Sequence, residues 1–167
     1  MRTIAAQFAL VSLALALGIR AGAQSIPSID TTAPARVVFV CEHGSVKSLV
    51  ASVYFNRRAR ERGLPYRAVA RGITPDPTVP PAVREGLKAD GFQTSDFVPK
   101  LFEASDASEA ALVVSFDQDI TKIVDGRARY QKWDDLPGVL ADYPRGRDAI
   151  VRQVDALIGE LTHSDVP

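Results

Sequence analysis

Cysteine is nearly absent from this 167-residue chain, which holds one, Cys41, alongside one methionine and one tryptophan. A single thiol excludes an internal disulfide and any cysteine-rich zinc site. Histidine is scarce too, at two residues. No set of His, Asp and Glu has metal-ligand spacing, so neither a metal nor another cofactor is expected. Neither sign of charge is in excess: 20 Lys and Arg face 20 Asp and Glu. A formal charge of zero excludes nucleic-acid binding through a basic footprint. Dinucleotide-binding glycine motifs, internal repeats and low-complexity tracts are missing as well. What remains, 46% hydrophobic and 24% charged residues, is the composition of a globular domain.

The one long apolar run lies at the N-terminus. Arg2 precedes the stretch Ile4 to Ile19, interrupted only by Gln7 and Ser12, and Ala21-Gly22-Ala23 follows. A positive start, an apolar stretch and a small-x-small site read as a secretory signal peptide cleaved before Gln24. The run falls short of the roughly 20 apolar residues of a membrane span. The expected organisation is a signal peptide over 1–23, a linker over 24–35, a domain over 36–162 and a tail over 163–167. Cleavage removes Arg2 and Arg20 and no acidic residue, leaving 18 of the 20 basic residues against 20 acidic ones, a net −2. The mature protein is expected to be secreted or periplasmic, without stable membrane insertion. A lone thiol is a liability in such an oxidising compartment. Cys41 therefore calls for a chemical reason.

Hydrophobic pattern gives the architecture. Arg36-Val37-Val38-Phe39-Val40 is a continuous β-branched run, as in a strand buried on both faces. After the segment CEHGSVKS, Leu49 to Arg62 reads as a helix stopped by Gly63. Pro65 to Gly72 reads as a second strand, with Tyr66, Ala68 and Ala70 on one face. Four prolines make the segment from Ile73 to Pro81 a loop. Ala82 to Ala89 is a short helix ending at Gly91, and Ala110 to Phe116 is a further strand. Ile150, Val154, Leu157, Ile158 and Leu161 recur at helical spacing. Alternating strands and helices predict a parallel, doubly wound sheet, whose ligands bind beyond the strands' carboxyl ends. Cys41 ends the first strand.

The turn Cys41-Glu42-His43-Gly44-Ser45-Val46-Lys47-Ser48 has the makings of an anion cradle. Successive N–H groups of a tight strand-to-helix loop converge as a nest, and the following helix adds unpaired N–H groups and its positive dipole end. Those same donors stabilise a thiolate. Gly44 supplies backbone freedom, Ser48 a hydroxyl for the sulfur, and Lys47 a cation. A nucleophile beside an oxyanion cradle suits phosphoryl transfer through a thiophosphate. The plainer alternative is a small buried core cysteine.

The stretch VVFVCEHGSVKSLVA resembles the N-terminal signature of the low-molecular-weight protein tyrosine phosphatase superfamily, which includes the thioredoxin-coupled arsenate reductases. Its pattern is an apolar strand, a Cys, five residues, Arg and Ser, then a helix. Ala70-Arg71-Gly72-Ile73, the segment Val79 to Lys100 and Trp133-Asp134-Asp135-Leu136-Pro137 continue the likeness, which spans Val37 to Leu161. The resemblance implies a three-layer α/β/α fold around a central, mostly parallel four-stranded sheet. It implies Cys41 as nucleophile, Ser48 as the hydroxyl on its thiolate, and backbone N–H groups of Glu42, His43, Gly44, Ser45 and Val46 around the substrate. Asp134 or Asp135 takes the place of the general acid, with Tyr130 and Trp133 as aromatic walls. Asp-Asp-x-Pro is equally a good turn, and the two aromatics equally suit packing.

The chain departs from this pattern in three places. Lys47 stands where the family has Arg, exchanging a planar fork for a point charge. Glu42 follows the nucleophile and must face away from a bound anion, while His43 either pairs with Glu42, approaches substrate or is solvated. Ser115-Phe116-Asp117 occupies the strand end where the reductase branch uses further cysteines, so a disulfide relay within this chain is impossible. The expected function is an exported hydrolase of a phosphorylated small molecule or phosphoprotein. The alternatives are an oxyanion-binding or sensing protein for phosphate or arsenate, and a single-cysteine thiol-redox protein.

Overall fold

The computed structural model describes residues 34–164. The expected signal peptide, nearly all of the expected linker and the last three residues lie outside the described residues.

Strand β1 (Ala35–Cys41) is buried from Val37 to Val40 without interruption. Its side chains alternate between two cores. Val37 and Phe39 belong to one, Val38 and Val40 to the other, as the two-residue period of a strand requires. Such a strand must be central, and β1 pairs in parallel with both β2 (Tyr66–Gly72) and β3 (Ala110–Phe116). A fourth strand, β4 (Arg129–Trp133), pairs in parallel with β3, giving the order β2-β1-β3-β4. The sheet is entirely parallel rather than mostly so.

Among the described residues five helices cover it: α1 (Lys47–Glu61), α2 (Pro81–Ala89), α3 (Ala104–Ser108), α4 (Thr121–Val124) and α5 (Tyr143–Ser164). The larger core joins the sheet to α1, α2 and α5. Phe39 packs there against the rings of Phe55, Phe116 and Trp133, at centroid distances of 5.8, 6.3 and 5.6 Å. This aromatic block stands two residues below Cys41 on the same face of β1. The smaller core sits under α3 and α4. The architecture is the expected three-layer α/β/α sandwich.

Helix α1 starts at Lys47, two residues before the apolar period suggests, and α2 starts at Pro81, where a missing N–H costs nothing. Asp90 caps α2, and Gly91 follows it with φ +82°, the left-handed turn that glycine tolerates. Helix α5 begins seven residues before Ile150.

A polar hub fixes the start of α5 to the end of α2. Asp90 accepts hydrogen bonds from Tyr143 at 2.7 Å, Tyr54 at 2.9 Å and Arg147 at 2.6 Å. Burial opposes its ionisation, but these three donors outweigh burial and hold the carboxyl below the usual range. The folded carboxyl thus titrates below the unfolded one, which lies near about 3.9. Its contribution is complete above that pH and disappears as pH falls through the folded value. Asp90→Ala strands two phenols and a guanidinium, and should cost about 3 kcal/mol in urea unfolding at neutral pH. That difference should shrink toward pH 3; a difference independent of pH would contradict this role.

Candidate active site

Cys41 sits where β1 ends, with 5% of its surface exposed. Its Sγ lies 3.1 Å from Ser48 Oγ in the first turn of α1. The two are held by rigid elements, a central strand and a packed helix, so their separation does not depend on a mobile loop.

The loop between them is anchored by the segment after β2. The carbonyls of Cys41, Glu42 and His43 accept the amides of Ile73, Thr74 and Asp76 at 3.1, 2.8 and 3.0 Å. In a trans peptide the carbonyl and the next N–H point in opposite directions, and no peptide here is cis. The N–H groups of Glu42, His43 and Gly44 are therefore turned away from that segment.

Close approach of two glycines makes this possible. Gly44 has φ +67°, and a Cβ there would lie 2.8 Å from the Gly72 amide nitrogen. A Cβ on Gly72 would in turn lie 2.7 Å from the Gly44 nitrogen and 2.8 Å from the His43 carbonyl carbon. The α1 N-terminus has neither a side-chain cap nor an acidic residue in its first turn. Its leading amides are thus left for a ligand.

A cavity of about 220 Å³ opens above the cysteine, lined by Cys41, Glu42, His43, Val46, Lys47, Phe116, Asp117 and Gln118, with Gly138, Val139 and Leu140 on the far side. It is smaller than the roughly 300–1,000 Å³ that drug-sized ligands occupy, a fit for a compact group. Lys47 is not free within it. Its ammonium donates to Asp117 Oδ2 at 2.5 Å and to the Leu136 carbonyl at 3.1 Å. The charged residues of the wall are Lys47, Asp117 and Glu42, a formal sum of −1 with Cys41 and His43 neutral; Glu42, expected to face away from a bound anion, is thus among the residues that line the cavity.

Several residues expected at the site are elsewhere. Trp133 is buried in the larger core, its ring against Phe39 and Phe116. Tyr130 packs on the opposite face of the sheet, its hydroxyl 2.7 Å from Ser115 Oγ. The two lie three apart on β4, and residues at an odd spacing on a strand point to opposite faces. They cannot wall one space. Asp134 and Asp135 are exposed, and neither lines the cavity. Asp134 pairs with Lys132 at 3.0 Å, and Asp135 turns the chain with φ +59°. The loop after β4 reaches the site through Leu136 and residues 138–140 instead.

Ser45, wholly buried, points its hydroxyl at Asp76 Oδ2 at 2.5 Å. His43 Nδ1 lies 3.2 Å from the other Asp76 oxygen, so its partner is Asp76 rather than Glu42. Asp76 and Asp117 are the site residues that sequence reasoning missed. An acidic residue set between two prolines, Pro75 and Pro77, was the available signal for the first.

A thiol at a parallel strand's carboxyl end, its hydroxyl partner on the next helix and a loop of outward-turned amides define a cysteine-dependent, phosphatase-like α/β protein. The chain belongs to the low molecular weight phosphotyrosine protein phosphatase family, whose model matches residues 36–143. In fold it is similar to YfkJ from Bacillus subtilis, with TM-score 0.69, 15% identity, and coverage of 79% of this chain and 97% of that one. The low molecular weight protein tyrosine phosphatase from T. tengcongensis gives TM-score 0.66 at 21% identity, covering 75% and 99%. An arsenate reductase in its phosphate-binding state gives 0.65 at 17% identity, covering 76% and 98%. No curated protein matches the chain in sequence.

Proposed function

We propose that the protein is an exported hydrolase of phosphomonoesters that works through a phosphocysteine on Cys41. The observation that carries this reading is the 3.1 Å contact between Cys41 Sγ and Ser48 Oγ at the mouth of the cavity. A serine O–H donating to the sulfur favours the thiolate, the form that attacks phosphorus. The substrate's equatorial oxygens are then met by the loop amides and the uncapped first turn of α1. Family membership supports the same chemistry. Export rests on the signal-peptide pattern of residues 1–23.

One observation favours a second reading, a phosphate- or arsenate-binding protein with little turnover. Lys47, the cation in the loop, is already paired with Asp117. A bound dianion must compete with that carboxylate for the ammonium. An ammonium also lacks the bidentate grip of a guanidinium. One lost charge-assisted hydrogen bond costs about 1.5–3 kcal/mol, or roughly 10–150-fold in rate.

The two readings separate in an assay of phenyl phosphate by the mature protein under reducing conditions. Asp117→Asn keeps a residue that tolerates the φ of +58° at this position, while releasing Lys47. Combined with Lys47→Arg it should raise kcat/KM by about 10–150-fold. Measurable wild-type turnover supports the hydrolase. Phosphate binding without turnover, with turnover appearing only in the double variant, supports the second reading. A fall in the double variant would show that the Lys47–Asp117 pair itself serves the reaction.

A further inference from the structure

The phosphocysteine scheme leaves one pair of groups in the cavity unused. His43 lines it beside Cys41 and Lys47, and its Nδ1 is held 3.2 Å from Asp76 Oδ1. Asp76 is itself fixed from two sides. Its second oxygen accepts the buried Ser45 hydroxyl, and its amide donates to the His43 carbonyl. The His43 backbone is bridged to Gly72. A carboxylate on Nδ1 fixes the ring's orientation and tautomer, and leaves Nε2 as the working nitrogen. The aspartates after β4, by contrast, stand outside the cavity wall.

We propose that His43, positioned by Asp76, is the general acid and base of the reaction. The proposal rests on the reading of Cys41 as nucleophile. In the first half, the thiolate forms a bond to phosphorus as the ester P–O bond breaks. The departing oxygen takes the proton from Nε2 of the imidazolium, leaving neutral His43 and an alcohol. In the second half, water adds to phosphorus and gives a proton to Nε2. The P–S bond breaks with its electron pair on sulfur, which restores the thiolate, the imidazolium and free phosphate. Asp76 is the charged group against the imidazole; Glu42 from the loop, Lys47 from α1, Asp117 after β3 and Cys41 itself share the cavity with it. With Cys41 as the thiolate and His43 as the imidazolium the two charges cancel, and the wall keeps its formal sum of −1.

Leaving-group dependence tests the assignment. His43→Gln should lower kcat/KM for phenyl phosphate by about 10²–10⁴-fold, the usual worth of a positioned acid. For 2,4-dinitrophenyl phosphate, whose leaving group needs no proton, the loss should stay below about 10-fold. The alkaline fall of the wild-type profile on phenyl phosphate should vanish in His43→Gln. Asp76→Asn should lower kcat/KM on phenyl phosphate and spare 2,4-dinitrophenyl phosphate, since Asp76 acts through the imidazole. Equal losses on both esters, or an unchanged alkaline limb, would reduce His43 to a structural residue and overturn the proposal. If Cys41→Ser is inactive while His43→Gln is unimpaired on phenyl phosphate, the proposal alone fails. If the wild type hydrolyses neither ester, the reading of Cys41 fails and takes the proposal with it.

Discussion

Cys41→Ser should abolish hydrolysis of aryl phosphates, lowering kcat by at least about 10⁴-fold, as removal of a covalent nucleophile does. The substitution shortens one buried atom and leaves its neighbours in place. Ser48 can still hydrogen-bond to a hydroxyl at this position, so the fold and phosphate binding should survive. What disappears is the thiolate. A serine hydroxyl at the end of β1 has no comparable access to an anionic form. Steady-state assay beside isothermal titration with phosphate separates the two effects. Loss of binding together with turnover would show that the variant damages the loop and tests nothing about the nucleophile. In that case Cys41→Ala, measured the same way, decides the point.

Gly72→Ala should be nearly as severe, for a different reason. The added methyl would fall 2.7 Å from the Gly44 nitrogen and 2.8 Å from the His43 carbonyl carbon, closer than Cβ atoms pack. Both neighbours are backbone, so no side chain can swing aside. The loop that presents its amides to the ligand has to move outward, and a shift of about 1 Å at a positioned group can cost about 10²-fold in rate. Overpacking of this kind costs about 1–3 kcal/mol of stability as well. Gly159→Ala is the matching control. It lies within α5 with nothing within 4 Å of the added methyl, so it should stabilise by about 1 kcal/mol and leave turnover unchanged. Equal activity in Gly72→Ala and wild type, by the same aryl phosphate assay, would show that the glycine contact does not shape the cradle.

The parts of the molecule legible in the sequence are those where one short stretch carries its own signal. The β-branched run before Cys41, the glycine in the turn and the apolar period of α5 each speak for themselves. Strand β4 has no such signal, because it lies at the sheet edge and only Trp133 of its five residues is buried. Helices α3 and α4, at five and four residues, are too short to show a period. Missing β4 also led to the misplaced aromatics. Once Tyr130 and Trp133 are known to share a strand, their spacing of three assigns them to opposite faces.

The site's polar wiring was harder to foresee. Lys47 meets Asp117 across 70 residues of sequence, and Ser45 meets Asp76 across 31. No local pattern encodes either pair. Arginines outside the site have structural partners of the same kind. Arg71 joins Arg36 on the buried Asp106 of α3, and Arg57 lies 3.6 Å over the Phe92 ring.

The proposed reaction turns on a covalent bond between phosphorus and one sulfur. The direct measurement is to quench the mature protein in acid during turnover of an aryl phosphate and map its peptides by mass spectrometry. One added phosphoryl group is expected, located on Cys41, formed in step with a burst of released phenol and absent from Cys41→Ser. Turnover without a phosphorylated Cys41, or a phosphoryl group found on another residue, would contradict the proposed reaction.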